Sequence, residues 1–251
     1  MIKTGFGVGA YFLSPIPGQA NQVFQSHYKF HGELRTFLIN FDIQASLEIR
    51  VQNDKYEASL KGCRLIEKDT EENAQKYVYS HKVSGNVDEH FMPKAVTIKR
   101  KWQLPLGFFR RDDSSTINFD YDGTNLAKIK GKIHFHNPYD DMHSMCEFKS
   151  YEKEVTQKKF ANSTDFLTAI VESMLKLKRE GNLPASVPIV TNYGRFDTAV
   201  LKYQDNTVKV IPSSEDLKFK SAGVKLDAEG NPLEILIEGI NGIADLGGKK
   251  V

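Results

Sequence analysis

The stretch FLINFDIQASLEIRV, residues 37 to 51, alternates apolar and polar side chains over its whole length. One face of it is entirely apolar: Phe37, Ile39, Phe41, Ile43, Ala45, Leu47, Ile49 and Val51. The other face is polar except for Leu38. A period of two is typical of a strand with one dry and one wet face. The segment is about twice as long as an average strand, and such strands are typical of strongly coiled sheets, either barrels or half-barrels.

Further strands are predicted along the chain. A turn-forming cluster at 52–55 is followed by Tyr56, Ala58 and Leu60 in phase, which predicts a hairpin. The next alternating segments are 76–87, 95–104, 116–121, 127–135 and 145–155. Alternation returns from residue 187 onward, after one segment with a different period.

That segment has apolar residues at three-and-four spacing, the pattern of an amphipathic helix. Its apolar residues are Phe166, Leu167, Ile170, Val171, Met174, Leu175 and Leu177. Asn162 or Ser163 is the predicted cap, Asp165 falls in the first turn, and Gly181 suits the end of the helix. The spacing predicts a helix over 162–180 whose apolar face lies on the sheet.

These patterns predict an all-β fold with one principal helix. We expect a long curved antiparallel sheet that forms a barrel or half-barrel around or against helix 162–180. Residues 23–251 are predicted to form a single β-rich domain, which is long enough to bury a real core. Residues 1–22 are predicted to be an N-terminal tail or a signal-like leader, because Lys3 precedes a mildly apolar stretch.

The composition and the absence of known motifs exclude several classes of function. The 34 basic and 32 acidic side chains nearly balance, which argues against a dedicated nucleic-acid binder. The sequence contains no run of about 18 apolar residues, so no segment is predicted to span a membrane. Cys63 and Cys146 lie far apart, and the sequence leaves open whether they are bonded. No phosphate-binding, dinucleotide or nucleophile motif is present, so no cofactor is predicted.

The order of elements resembles that of a known family. A hairpin turn ends at 117–123, a helix start lies at 163–167, a Val-Pro-Ile-Val strand lies at 187–190, and Gly-Arg-Phe-Asp follows at 194–197. Over residues 28–246 the chain resembles the bacterial exported-protein family of unknown function numbered 3108. The resemblance implies a curved sheet that embraces a helix, and a periplasmic or cell-envelope location rather than the alternative, a cytoplasmic one. It brings no catalytic residues.

Inward-facing apolar positions opposite the helix predict a binding site for a lipid-like molecule. The predicted lining residues are Phe37, Ile39, Phe41, Ile43, Trp102, Phe166, Ile170 and Met174. The leading hypothesis is a non-enzymatic envelope protein that holds an apolar or amphipathic ligand or binds an envelope partner protein. In the alternative, the helix fills the barrel and the protein is purely an interaction module.

A second candidate surface is the basic and aromatic hairpin around Trp102. Its predicted membrane-contacting residues are Lys99, Arg100, Lys101, Phe108, Phe109, Arg110 and Arg111. Exposed aromatic side chains flanked by cations can enter an anionic bilayer surface. In the alternative, the aromatic side chains belong to the core and the basic residues are simply solvated.

The third candidate is a metal site. His134 and His136 lie two residues apart on a predicted strand, and His143 follows the turn that succeeds them. Two imidazoles on one strand face can bind the same metal ion, and His143 could be the third ligand. The enzyme alternative is therefore a metal-dependent hydrolase that uses these three histidines. Lys130 and Lys132 share that face, which favours a solvated strand instead.

Overall fold

A computed structural model describes residues 23–36, 40–65, 75–87, 91–103, 110–137, 145–213, 220–240 and 244–250. The first eight strands are β1 Val23–Thr36, β2 Asn40–Gln52, β3 Lys55–Leu65, β4 Gln75–Val87, β5 Phe91–Gln103, β6 Arg110–Asp122, β7 Asn125–Asn137 and β8 Met145–Glu154. A short 3-10 helix η1 Lys158–Phe160, strand β9 Thr164–Asp165 and helix α1 Phe166–Glu180 follow. The remaining strands are β10 Ser186–Val190, β11 Phe196–Gln204, β12 Thr207–Pro212, β13 Ser221–Leu226, β14 Pro232–Ile240 and β15 Ala244–Lys250.

All the described strands belong to one sheet, in the order β8-β7-β6-β5-β4-β3-β2-β1-β15-β14-β13-β12-β11-β10-β9. The chain starts in the middle at β1, runs outward to β8, crosses to the opposite edge at β9, and returns to β15 beside β1. Every pairing is antiparallel except that of β9 with β10, between which α1 is the connection. The predicted all-β class with one principal helix is confirmed.

The opening stretch forms β2 as its alternation predicts. Ala45, Leu47 and Ile49 are buried, whereas Ser46 and Glu48 between them are partly exposed. The turn after β2 has Asn53 at φ 56°, a left-handed conformation that asparagine tolerates. The predicted hairpin is therefore present. Phe37 and Ile39 lie outside the described residues.

The helix begins later than the sequence predicts. Asp165 is its N-cap, so neither Asn162 nor Ser163 holds that position, and residues 164–165 instead pair with β10. The Asp165 side chain accepts from two backbone amides of the first turn, which a residue inside the helix cannot do as well. At the other end Gly181 has φ 71° and its N–H reaches the carbonyl of Leu177, as predicted.

The helix lies inside the curl of the sheet. It contacts β3, β4 and β5, and also β10 and β12, which are far from those strands in the sheet order. Only a curled sheet brings both groups to one helix, so the structure is a half-barrel. The inner faces of both arms and the apolar face of α1 form one buried cluster, with Phe30, Leu167, Val171 and Val210 fully buried in it.

The open side of the curl is joined by packing rather than by strand pairing. Phe160 of η1 stacks on Phe196 of β11, with ring centroids 5.4 Å apart. Tyr151 of β8 reaches the turn before β11, where Lys153 donates a hydrogen bond of 2.8 Å to the carbonyl of Gly194. These contacts tie the β8 edge to the β10–β11 region across the helix.

Candidate functional site

A buried carboxylate marks the start of α1. Asp165 is 2% exposed. Its Oδ1 accepts from the amide of Leu167 at 3.0 Å and from the amide of Thr168 at 3.4 Å. Its Oδ2 accepts a hydrogen bond from the Thr168 hydroxyl. The partial positive charge of a helix N-terminus favours a carboxylate at this position.

Histidine 81 faces this carboxylate from the sheet. His81 lies on the inner face of β4 and is 2% exposed, and its Nε2 lies 2.9 Å from Oδ1 of Asp165. Nε2 nevertheless has no well-aligned hydrogen-bond partner among the described residues, so the contact is mainly electrostatic. Nδ1 is 3.0 Å from the hydroxyl of Tyr79. The tautomer that carries its proton at Nε2, beside the carboxylate, leaves Nδ1 able to accept from the Tyr79 hydroxyl.

Tyrosine 56 completes the group on the β3 side. Its hydroxyl is 2.8 Å from Oγ1 of Thr168. Because Thr168 gives its own hydroxyl proton to the carboxylate, Tyr56 is the donor of this bond. Burial, and to a smaller extent the charge of Asp165, raises the pKa of Tyr56 well above its usual value. The same two causes raise the pKa of Tyr121. Both phenols therefore stay protonated and able to donate.

We call Tyr56, Tyr79, His81, Asp165 and Thr168 the buried polar cluster. It contains a histidine oriented by a carboxylate, which is one half of a general-base arrangement. Its imidazole, carboxylate and threonine hydroxyl are nevertheless occupied in joining α1 to β3 and β4, and His81, Asp165 and Thr168 are all buried. The arrangement can therefore fix the helix against the sheet, and the side chains of His81 and Asp165 are both shielded from solvent.

Three of the predicted ligand-lining residues come together in the core. Phe166, Ile170 and Met174 are 4%, 5% and 4% exposed and belong to the main apolar cluster. Phe41 and Ile43 lie on β2 and Trp102 on β5, where only the backbone is described. The described members of the predicted lining thus lie on α1, β2 and β5, and their lipid-binding role stays a prediction.

The predicted membrane-contacting hairpin is formed by β5 and β6. The register pairs Trp102 with Arg111 and Lys101 with Asp112. Lys99 is exposed, whereas Arg100, Lys101, Arg110 and Arg111 are described by backbone position only. Phe108 and Phe109 lie outside the described residues. Contact with a membrane therefore stays a prediction.

The predicted metal ligands are only partly described. His134 and His136 share a face of β7, where His134 is half-buried and His136 is described by its backbone. His143 lies outside the described residues. Across the described ranges, no three His, Cys, Asp or Glu side chains are grouped closely enough to hold a metal ion. The histidine site stays a prediction.

The buried polar cluster is the feature that sequence patterns did not predict. A partial signal was present, because His81 occupies a core-facing position between Tyr79 and Val83 in an otherwise alternating strand. Asp165 was recognised near the helix start, but its partner on β4 is 84 positions earlier, at His81. Local patterns carry no information on a contact at that separation.

Comparisons with known proteins found no matching family model, no matching curated protein and no matching solved structure. The resemblance to the exported-protein family stays a prediction. Among the helices of the described residues, none is long and apolar enough to cross a membrane.

Proposed function

We propose that this is a non-enzymatic binding or scaffold protein of the cell envelope that holds an apolar or amphipathic ligand along the inner face of its half-barrel. The observation that carries the proposal is the continuity of that face. Ala45, Leu47 and Ile49 of β2 are buried in the core, and the same alternation runs on through Phe41 and Ile43. A lipid-like molecule would extend the apolar contacts of α1 in that direction.

A non-enzymatic role is supported by the use of the interior polar groups. The buried contact between His81 and Asp165 holds the start of α1, and the neighbouring Tyr56 and Thr168 hydroxyls are hydrogen-bonded to each other. Catalysis needs at least one such group to be within reach of a substrate. The envelope location rests on the family resemblance alone.

Native mass spectrometry of the protein purified from its own host tests the proposal. We expect an additional mass of lipid size that is lost in a Phe41→Ser variant. Leu233→Ser is the matched control, because Leu233 is an exposed apolar residue of β14, and it should retain the ligand. A wild-type protein with no added mass contradicts ligand binding. It favours the alternative of an interaction module with a filled core, which the burial of Phe166, Ile170 and Met174 also supports.

A further inference from the structure

The outer face of the half-barrel carries a row in which basic and hydroxyl side chains alternate from strand to strand. The strand register from β1 to β7 places these residues side by side: Lys29, Ser46, Lys61, Ser80, Lys99, Ser114 and His134. At the usual strand spacing, successive lysines of this row are about 9.6 Å apart and the row is about 29 Å long. No sequence repeat produces the pattern, because its members come from seven different strands.

The neighbouring row is also basic. It consists of His27, Glu48, Ser59, Lys82, Thr97, Thr116 and Lys132. Together the two rows, which we call the basic strip, hold five lysines and a single carboxylate, Glu48. Glu48 lies 3.6 Å from His27 and 4.0 Å from Lys61. Four lysines of the strip form no ion pair with another described residue: Lys29, Lys82, Lys99 and Lys132.

The positive excess ends at the next row. There Arg50 faces Glu57 on the adjacent strand, and Lys130 lies 3.6 Å from Glu152, which also pairs with Lys128 at 3.4 Å. Lys128 and Lys130, outside the strip, therefore have acidic neighbours. Within the strip, Lys61 is half-buried beside Glu48, and the exposed lysines on this largely hydroxyl-lined surface are Lys29, Lys82, Lys99 and Lys132. A strip with an excess of positive charge is complementary to an extended anion.

We infer that the basic strip binds a linear acidic polysaccharide. Its lysines pair with carboxylate or phosphate groups of the sugar chain, and the serine and threonine hydroxyls between them bond to sugar hydroxyls. Within these two rows of β1 to β7 the ring side chains are the imidazoles of His27 and His134, and no phenylalanine, tyrosine or tryptophan is present for nucleic-acid bases to stack on. The sheet curls around α1, so its outer face is convex. A flexible chain follows such a surface, whereas a flat bilayer touches only a few strands.

Fluorescence anisotropy with labelled polygalacturonate at low salt tests the inference. The strip variant is Lys29→Ser/Lys61→Ser/Lys99→Ser, which introduces the residue already present at alternate positions of the row. The control is Lys130→Ser/Lys202→Ser/Lys225→Ser, because these lysines are exposed strand residues outside the strip. We expect affinity to fall about tenfold or more in the strip variant, to change less than about twofold in the control, and to vanish in about 0.5 M NaCl.

A conservative variant keeps the test valid if the triple variant folds poorly. Glu48→Gln removes the strip's carboxylate and should tighten binding of polygalacturonate, whereas neutral dextran should not bind to any variant. Absence of polygalacturonate binding at low salt overturns the inference, as does an equal loss in strip and control variants. Tighter binding of poly-dT or of phosphatidylglycerol vesicles than of the polysaccharide also overturns it. The strip lies outside the half-barrel, so these outcomes are independent of the proposed interior ligand.

Discussion

The ring of Tyr151 on β8 lies directly against the Cα atom of Gly194 in the turn between β10 and β11. A Cβ atom at Gly194 would overlap this ring, and Gly194 also has φ 65°, a conformation that other residues rarely adopt. The same ring also packs against Gly131 of β7, where a Cβ atom would overlap it as well. Two glycines therefore make room for the aromatic side chain that joins the two arms of the half-barrel.

The first prediction concerns this contact. Gly194→Ala should lower the free energy of unfolding by about 2 to 4 kcal/mol, because it combines a steric overlap with a strained φ. Gly123→Ala is the matched control. Gly123 has φ 61° but no atom within 4 Å of the added methyl, so only about 1 kcal/mol of backbone strain is expected. Urea denaturation measures both values, and equal losses would show that Tyr151 can move aside at little cost.

The second prediction concerns the helix cap. Asp165→Ala should destabilise the protein by about 2 to 4 kcal/mol, because it uncaps α1 and leaves His81 without its buried partner. Asp227→Ala, which removes an aspartate that accepts backbone amides in the β13–β14 turn, should cost about 1 kcal/mol. In a double-mutant cycle with His81→Phe, the losses should be less than additive. Additive losses would mean that the 2.9 Å contact contributes no stability.

The third prediction compares two identical substitutions at the start of α1. Thr168→Val should cost about 1 to 3 kcal/mol, because the hydroxyl links Tyr56 to Asp165. Thr164→Val should change stability by less than about 0.5 kcal/mol or increase it, because that buried hydroxyl has no hydrogen-bond partner among the described residues. Thermal unfolding followed by circular dichroism ranks the two. The reverse order would contradict the hydrogen-bond assignment in the buried polar cluster.

The fourth prediction concerns alkaline pH. The folded-state pKa of Tyr56 is raised above its ordinary value of 10.0, chiefly by burial. The unfolded chain therefore releases this proton first, so stability is fully present below pH 10.0 and decreases as pH rises toward the folded-state pKa. Tyr56→Phe should flatten this decrease, whereas the exposed Tyr203→Phe should leave it unchanged. Urea denaturation across this pH range provides the measurement, and an unchanged slope in Tyr56→Phe would contradict the prediction.

The strands with strong alternation could be predicted from the sequence, and three described strands were left out: β1, β15 and the two-residue β9, which falls within the predicted helix 162–180. No strand was predicted before Phe37, although Tyr28 and Phe30 of β1 are buried and alternate with exposed His27 and Lys29. Strand β15 was not predicted for a different reason. Its sequence contains Gly247 and Gly248 and shows no alternation, and its pairing with β1 joins the two halves of the described sheet. Such a pairing depends on the whole sheet being formed.

The candidate sites show the same division. Phe166, Ile170 and Met174 could be grouped in advance because three-and-four spacing places them on one face of a helix. The pair of His81 and Asp165 could not, because neither residue carries a local signal for the other. The basic strip is also invisible in the sequence, since each of its lysines sits in an ordinary alternating strand.

The amino-acid sequence by itself determined the strands with clear alternation, the approximate position of the helix and the apolar face of each, because side-chain periodicity follows local backbone geometry. Tertiary structure alone decided the strand register, the curl around α1 and the cap at Asp165. Register sets which side chains of different strands become neighbours, and it depends on the simultaneous burial of all the apolar faces. The charge pattern of the outer surface is a consequence of that packing.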